Sequence, residues 1–344
     1  DPFIGTVLLD MYVKCGQLDK AREIFFKIQT QDVVSWNALI SGYAECGHGD
    51  EALHFFERML FEGISPDAIT YVCSLKSCGI VGDMDKAIEI HAEIVRKGWI
   101  ESNLVIGNAL IDIYARNGLI FKAEEVFHEI PLRDVVSWTS LMAGYVECGY
   151  AIKALCCLEN MQLEGIFPNT ITFVWSLKAC GIIQDLSKGI EIHGEIVRKR
   201  LLKSDPVLGS ALVDMYGKAG LLQKSLEIFD QLPSSRTVGS WNAIIAAYTR
   251  EGRGKEALSF FIQMKLEGVL PNSITCICIL SACCDIGSIE MGRKIHSIIK
   301  TGWPIEESAV ISSALIGIYS QFGLLEQVED LFNEAPSRNV DLWN

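Results

Sequence analysis

The sequence predicts an all-α fold, an α-solenoid of about ten stacked helix-turn-helix repeats of 31–36 residues. Two observations lead to this prediction. Trp36, Trp138, Trp241 and Trp343 are separated by 102, 103 and 102 residues, a regularity that independent globular domains do not produce. Within each long period, apolar residues also recur at helical spacing between glycine-containing breaks.

The first complete unit shows the helical pattern clearly. Trp36, Leu39, Ile40 and Tyr43 fall at i, i+3, i+4 and i+7, and a second apolar run follows the Cys46–Gly49 break. These two apolar runs therefore predict a hairpin of two helices. Because one hairpin cannot bury its apolar stripe alone, we expect neighbouring hairpins to stack on it.

Each long period divides into three units of different length, punctuated by aromatic residues and glycines. Ten units fit this punctuation, and an eleventh begins at the end of the chain. The units span 2–32, 33–67, 68–103, 104–134, 135–169, 170–205, 206–237, 238–272, 273–308 and 309–339, and residues 340–344 begin the next one.

Composition excludes several classes of protein. The formal net charge of −13 argues against a dense, non-specific polyanion binder, so any nucleic-acid contact must be local. The twelve cysteines include no C-x-x-C pair, which argues against zinc ribbons, and we expect most of them to be buried thiols. We expect no membrane-spanning helix, and we expect any transit peptide to lie outside this chain.

The cycle of three unit lengths comes with distinctive motifs. These are Val33-Val34-Ser35-Trp36-Asn37, Leu75-Lys76-Ser77-Cys78 with Ile90-His91, and the run Ala109–Tyr114. Tetratricopeptide arrays hold a constant period of about 34 residues and fit less well. Cycle and motifs together resemble plant-type pentatricopeptide repeat proteins of the P-L-S subclass. The resemblance covers the whole chain and assigns its units in the order S, P, L, beginning with S at residues 2–32.

The resemblance implies sequence-specific binding of single-stranded RNA, with one base for each P or S repeat. It also implies a mitochondrial or chloroplast location and a role in directing cytidine-to-uridine editing. A cytidine deaminase would then follow the array or join it as a partner, together with other editing factors. Two alternatives stay open: a protein-binding solenoid scaffold, and a structural subunit of an organelle ribonucleoprotein.

Positions 2, 5, 9 and 13 of each first helix share one face, because spacings of three and four residues align side chains. Position 5 of the L units is apolar, at Val72, Val174 and Ile277, whereas in the P and S units it is a small polar residue. The polar set is Thr6, Asn37, Asn108, Thr139, Ser210, Asn242, Ser313 and the truncated unit's Asn344. The last residue of each P or S unit is also polar: Asp32, Asp67, Asp134, Asn169, Thr237, Asn272 and Asn339.

The resemblance implies that position 5 and the last residue of a unit together select one base. Asn, Thr, Ser and Asp differ in donors and acceptors, which suits discrimination between base edges. Combined over the chain, the family's pairings imply the site G-Y-n-U-A-n-n-Y-n-A-Y, where Y is a pyrimidine, n is any base, and the off-pattern pair Ser210/Thr237 stays unassigned. The alternative is that all these residues are ordinary helix caps and turn residues.

Two further positions complete the predicted site. In the family, position 2 sandwiches the bases, and here it holds Phe3, Val34, Val105, Val136, Val207 and Val310, with Ile69, Ile171 and Ile274 in the L units. Gly239 breaks this pattern. Position 13 is cationic at Lys14, Arg116, Lys218 and Arg250, our candidates for phosphate contacts. The alternatives are interface packing for position 2 and solvated helix-end cations for position 13.

The sequence contains no complete enzyme motif among those we considered. His91-Ala92-Glu93 and His193-Gly194-Glu195 match the start of a zinc deaminase signature, but no P-C-x-x-C follows either of them. The equivalent third stretch begins at His296 and has no glutamate two residues later, so a structural role in the repeat explains these histidines better. We therefore predict no catalytic residue, no metal site and no cofactor in this chain.

Overall fold

The computed structural model describes residues 2–28, 30–203, 205–232, 236–300 and 309–334. Those residues form twenty-one α-helices and one short 3-10 helix, with no β-strand among them. No helix in these ranges is long and apolar enough to cross a membrane. The chain divides into two compact units, residues 1–172 and 173–344, and each is a succession of helical hairpins.

The first unit contains five hairpins in chain order. Its helices are α1 (Pro2–Lys14), α2 (Leu18–Lys27), α3 (Val33–Glu45), α4 (Gly49–Phe61), α5 (Ala68–Val81), α6 (Met84–Arg96), the short α7 (Trp99–Ser102), α8 (Leu104–Arg116), α9 (Ile120–Glu129), α10 (Val135–Glu147) and α11 (Ala151–Leu163). Helix α12 (Thr170–Ile183) begins at the end of this unit.

The second unit continues the same alternation. After α12 come α13 (Leu186–Arg198), the 3-10 helix Leu201–Lys203, α14 (Pro206–Lys218), α15 (Leu222–Gln231), α16 (Val238–Arg250), α17 (Gly254–Leu266), α18 (Ser273–Asp285), α19 (Ile289–Lys300), α20 (Ala309–Gln321) and α21 (Leu325–Glu334).

Within each unit, every hairpin packs on the next one. In the first unit, α3 contacts its own partner α4 and also the neighbouring first helices α1 and α5. In the second unit, α16 contacts α17 and the first helices α14 and α18 in the same way. The core is therefore a row of local interfaces, as expected when single hairpins cannot bury their apolar stripes. This arrangement confirms the predicted α-solenoid fold class.

The repeated tryptophan explains why the long period is so regular. Trp36 of α3 is fully buried, and its ring lies edge-on to Phe25 of the preceding hairpin, with the ring centroids 4.6 Å apart. The same contact joins Trp138 to Phe127 at 4.6 Å. It recurs a third time between Trp241 and Phe229 at 4.8 Å. A large aromatic pair thus stabilises the stacking of three hairpins, each on the hairpin before it.

Adjacent first helices approach so closely at some glycines that no larger residue fits. A Cβ atom on Gly144 of α10 would lie 2.5 Å from the Cβ of Ala115 on α8. Gly42 of α3 is similarly placed, because a Cβ there would lie 2.5 Å from Val13. These glycines set the distance between neighbouring hairpins.

The expectation that most cysteines are buried is wrong. Five of the twelve are buried, four are intermediate and three are exposed, namely Cys15, Cys46 and Cys156. Cys78 and Cys180 do occupy the core at one repeat position, where burial raises the pKa of each thiol to about 12. Two of the three exposed cysteines, Cys15 and Cys46, directly follow a first helix at the hairpin turn, and Cys156 lies on the second helix α11.

Candidate nucleic-acid interface

Several of the predicted last residues of repeats form the N-cap of the following helix in the described part of the chain. Asp32, Asp67 and Asp134 each accept a hydrogen bond from the backbone N–H three residues later, within complete capping boxes. Asn272 does the same at α18, and Thr237 caps α16 through its hydroxyl. These residues are therefore helix caps, as the alternative interpretation predicts. Capping places their side chains at the start of the next hairpin.

Position 5 of the first P repeat meets one of these caps. The amide Nδ2 of Asn37 donates to both carboxylate oxygens of Asp67, at 2.9 and 3.0 Å. The hydroxyl of Thr70, inside the same capping box, donates to Asn37 Oδ1 at 2.6 Å. Two residues that the sequence hypothesis pairs for base selection are thus in direct contact across the boundary between two hairpins, 30 residues apart in the chain.

The same three-residue network recurs. Asn108 Nδ2 donates to Asp134 Oδ1 at 3.1 Å, and the Ser137 hydroxyl donates to Asn108 Oδ1 at 2.6 Å. In the second unit, Asn242 Nδ2 donates to Asn272 Oδ1 at 3.0 Å. There the Thr275 hydroxyl donates to Asn242 Oδ1, again at 2.6 Å. The geometry is a property of the repeat and not of one site.

Hydroxyl residues at position 5 behave differently. Thr139 donates to the carbonyl of Val135 in its own helix at 2.7 Å, and no described hydrogen bond joins it to Asn169. Asn169 instead caps α12 by accepting from the N–H of Thr172. Ser210 also bonds its own helix, at Pro206, while its Oγ lies 3.2 Å from Thr237 Oγ1. A short hydroxyl side chain can satisfy itself locally, so it depends less on the next hairpin.

The asparagine networks leave part of each amide uncommitted. Asn37 and Asn242 are only 6% and 7% exposed, more covered than a side chain presented openly to a groove. Each amide bonds one cap residue through Nδ2 and one hydroxyl through Oδ1, whereas an asparagine amide offers two donors and two acceptors. One donor and one acceptor therefore remain beside each cap residue.

The carboxylates in these networks are ionised at neutral pH. Burial acts to raise the pKa of Asp67, but hydrogen bonds from the Thr70 backbone, the Asn37 amide and the Thr70 hydroxyl outweigh it and hold that pKa below its usual value. The same balance lowers the pKa of Asp134, with Ser137 and Asn108 as donors. Both carboxylates therefore act only as acceptors, which distinguishes them chemically from Asn272.

Aliphatic side chains at position 2 are exposed. Val34, Val105 and Val136 in the first unit are 56%, 63% and 47% exposed, and Val207 and Val310 in the second are 54% and 59% exposed. Their L-repeat equivalents Ile69, Ile171 and Ile274 are 55–58% exposed. Interface packing, the alternative for position 2, does not account for this exposure. Gly239 also lies exposed, with no side chain to contribute.

Three of the four position-13 cations are ion-paired within their own helix. Lys14 bonds Asp10 at 2.6 Å, Arg116 bonds Asp112 at 2.8 Å, and Lys218 bonds Asp214 at 2.7 Å. Each aspartate occupies position 9, one turn earlier on the same face. Arg250 is exposed and has no ion pair in the described part of the chain.

The hydroxyls that complete the networks were not among the predicted site residues. Thr70, Ser137 and Thr275 are fully buried, and each one links a cap residue to the preceding repeat's asparagine. A signal for them was present, since Ser or Thr three residues after an Asp or Asn is capping-box spacing. Their second bond, to a residue some 30 positions earlier, has no local signal.

The contacts described above do not include every predicted site residue. Thr6 and Ser313 are half-buried at position 5 of their helices, and Asp32 is exposed. The side chain of Phe3, and residues Asn339 and Asn344, lie outside the described residues.

Each of the three histidines of the rejected zinc signature lies on the second helix of one hairpin and meets a tyrosine of the next hairpin. Nδ1 of His91 lies 2.9 Å from the hydroxyl of Tyr114, and Nδ1 of His193 lies 2.8 Å from that of Tyr216. His296 and Tyr319 form the third pair at 2.7 Å. No cluster of metal-ligating side chains is found in the ranges that the structure covers. The structural role expected for these histidines accounts for their positions.

Comparison with known proteins gives consistent matches. The model described as "PPR repeat family" matches residues 31–79, 133–181 and 236–285. The model described as "PPR repeat" matches residues 6–33, 69–99, 108–135, 210–236 and 310–340. Together these segments cover most of the chain.

Curated relatives come from Arabidopsis thaliana. Pentatricopeptide repeat-containing protein CRR2, chloroplastic, is 38% identical over 86% of this chain and 45% of its own length. The putative pentatricopeptide repeat-containing protein At3g25060, mitochondrial, is 32% identical over 100% of this chain and 57% of its own length. This chain thus spans about half the length of such relatives. Their names are chloroplastic in some cases and mitochondrial in others, which agrees with the location implied by the resemblance.

A solved structure also resembles this fold. It is the crystal structure of the pentatricopeptide repeat protein PPR10 in complex with an 18-nt PSAJ RNA element. The TM-score is 0.70, with 18% sequence identity, over 96% of this chain and 50% of that one. At this identity the likeness establishes the fold.

Proposed function

Because this chain belongs to the pentatricopeptide repeat family, we propose that it binds single-stranded RNA in a sequence-specific manner, one base for each P or S repeat. The observation that carries the proposal is the recurring contact between position 5 and the cap residue of the next hairpin. Asn37 with Asp67, Asn108 with Asp134, and Asn242 with Asn272 meet in one geometry. Pure stacking does not require the same asparagine–cap contact at three separate boundaries.

The chemistry of each pair suits a base edge. The bond to the cap residue and the bond from the capping-box hydroxyl orient the asparagine amide, so its remaining N–H and lone pair point in a fixed direction. A nucleobase edge presents a donor and an acceptor side by side, which matches this arrangement. The exposed Val34 and Val105 next to the pairs supply apolar surface on which the flat face of a base can pack.

We extend the proposal to every predicted pair by its place in the repeat. Base selection is assigned to Thr6 with Asp32, Thr139 with Asn169, Ser210 with Thr237 and Ser313 with Asn339, as well as to the asparagine pairs. Lys14, Arg116 and Lys218 each exchange the ion pair with an aspartate for a contact with an RNA phosphate. Arg250 contacts a phosphate without such an exchange. We assign the repeat boundaries and the P-L-S subclass as in the sequence analysis.

The biological setting follows from the family. We propose that the whole protein acts in a mitochondrion or chloroplast, and that this array directs cytidine-to-uridine editing of an organelle transcript. A cytidine deaminase supplied in the same polypeptide or by a partner then carries out the chemistry. Relatives that extend well beyond the matched segment leave room for such a domain.

A titration tests the proposal. Fluorescently labelled RNA of the predicted site G-Y-n-U-A-n-n-Y-n-A-Y and a scrambled RNA of equal composition are titrated with the 344-residue chain. We expect the predicted site to bind at least tenfold more tightly. Equal affinity for the two RNAs contradicts base selection, and absence of binding to either RNA by helical protein contradicts RNA binding altogether.

The low exposure of the asparagine amides favours the two alternatives in which the array does not select bases. If the networks serve only to join hairpins, the array is a protein-binding scaffold or a structural subunit of an organelle ribonucleoprotein, and its net charge of −13 suits basic partners. The same titration separates the two functions, since a scaffold retains its helicity and stability but does not discriminate between the RNAs.

A further inference from the structure

We propose that the first two L repeats contact the RNA phosphate backbone through the position-9 lysines Lys76 and Lys178. This inference rests on the proposed RNA binding and assigns a function to repeats that present no base-selecting side chain. Val72, Val174 and Ile277 occupy position 5 in the L repeats, and an aliphatic side chain cannot hydrogen-bond a base edge.

Lys76 lies on the same face of its helix as the predicted base-contacting residues. Positions 2, 9 and 13 of α5 are Ile69, Lys76 and Ile80; the two isoleucines are 58% and 43% exposed, and Lys76 is exposed as well. Lys76 follows Thr70 by six residues, which places it about 9 Å further along the helix axis. Thr70 holds the Asn37 amide, so the lysine lies close to a base-selecting pair but beyond contact with it.

Lys178 occupies the equivalent place on α12 in the second unit. Ile171 and Ile182, at positions 2 and 13 of this helix, are 55% and 47% exposed. The ammonium group of Lys178 lies 4.1 Å from the centroid of the Trp175 ring, one turn earlier. This cation–π contact orients the lysine without neutralising its charge.

The lysines of the L repeats differ from the cations of the S repeats in whether a carboxylate neutralises them. Asp10, Asp112 and Asp214 neutralise the position-13 cation of the first three S repeats at 2.6–2.8 Å. Neither Lys76 nor Lys178 has a carboxylate within ion-pair distance in the described parts of the chain. A phosphate must compete with aspartate for the S-repeat cations but has no such competitor at the L lysines.

One acidic neighbour belongs in the same account. Glu45, at position 13 of the preceding P repeat, is exposed, and its negative charge interacts electrostatically with Cys73 and with Lys14. The positive charge of Lys76 interacts with the same Cys73 thiol and has the opposite effect on it. Because Glu45 forms no ion pair with Lys76, it reduces the local positive potential without occupying the ammonium group.

The proposal predicts a specific signature in binding. Phosphate contacts add affinity without sequence information, so loss of a lysine weakens all RNAs alike and reduces the salt dependence of binding. For single strands the slope of log K against log salt changes by about 0.7 for each phosphate contact, which corresponds to about fourfold in affinity for each lysine at 0.15 M salt.

The test compares the Lys76→Gln/Lys178→Gln double variant with the unsubstituted chain on the predicted RNA and on a single-mismatch RNA, at several salt concentrations. We expect about 15-fold weaker binding to both RNAs, an unchanged ratio between them, and a salt slope smaller by about 1.4. Lys255→Gln is the matched control, because Lys255 is exposed on the second helix α17 and has no described ion pair. We expect this control to bind like the unsubstituted chain.

Other outcomes separate this inference from the proposed function. If the unsubstituted chain discriminates the RNAs but the double variant keeps its affinity within twofold and its salt slope, the L lysines do not contact phosphate and base selection still stands. If the double variant loses affinity for one RNA only, the lysines act on bases, which also overturns the inference. If the unsubstituted chain does not bind RNA, both proposals fail. Circular dichroism melting of each variant confirms that it is folded.

Discussion

Replacement of Asn108 by threonine tests base selection at a single nucleotide. In the structure, Asn108 donates to Asp134 and accepts from the Ser137 hydroxyl. A threonine at position 5 bonds the carbonyl of its own helix instead, as Thr139 does. The substitution therefore removes the amide from the cap residue and leaves a hydroxyl beside an ionised carboxylate. The family's pairings imply a change of preference from U to G at the fourth nucleotide of the predicted site.

Two separate magnitudes follow from this geometry. Loss of the two inter-repeat hydrogen bonds lowers the free energy of unfolding by about 1–3 kcal/mol. A base-edge contact discriminates by about 1–3 kcal/mol, by analogy with bidentate readout, so the ratio of affinities for U and G at that nucleotide changes by about 5- to 150-fold. The first effect is a loss of stability common to any packing role, whereas the second concerns one nucleotide only.

The assay measures both quantities. Four RNAs that differ only at the fourth nucleotide are titrated with the unsubstituted chain and with Asn108→Thr, and thermal melting is followed in parallel by circular dichroism. Ser137→Ala is the matched control, since it removes the hydroxyl contacts with Asn108 and with Asp134 but keeps the Asn108 amide, and we expect lower stability with U still preferred. If Asn108→Thr weakens binding to all four RNAs equally, residue 108 is a packing residue and the reasoning is refuted.

Two further predictions concern stability. Gly144→Ala places a methyl group 2.5 Å from Ala115 Cβ, so we expect it to lower the free energy of unfolding by about 1–3 kcal/mol. Gly194→Ala, on a helix with open space around that position, should raise it by up to about 1 kcal/mol, and equal effects in denaturant unfolding would contradict the packing argument. Burial lowers the pKa of His91 and His193, so the folded state favours their neutral forms, and we expect the melting temperature to fall as the pH drops below about 6.5. The His91→Gln/His193→Gln variant should reduce this fall, and an unchanged pH profile would show that other groups cause it.

Much of the fold could be predicted because repeat signals are local. The spacing of Trp36, Trp138 and Trp241, together with the 3.6-residue periodicity, is a property of short segments, and it gave the fold class. Capping residues such as Asp67 are also readable, since a cap and its partner lie three residues apart. Even the pairing of Asp112 with Arg116 follows from i,i+4 spacing. The partial neutralisation of the position-13 cations by position 9 is therefore readable from the sequence.

What needed tertiary structure was the environment of each polar side chain. The order of amino acids alone predicts the repeat spacing, the helix faces and the chemical type of residue at each position of the array. Only the packed hairpins show that Asn37 is held by Asp67 and Thr70, that Thr139 turns back to its own helix, and that no carboxylate among the described residues lies within ion-pair distance of Lys76. These facts depend on distances between residues that are separated by a whole repeat, and helical periodicity fixes which face a residue occupies but not what the next hairpin brings against it.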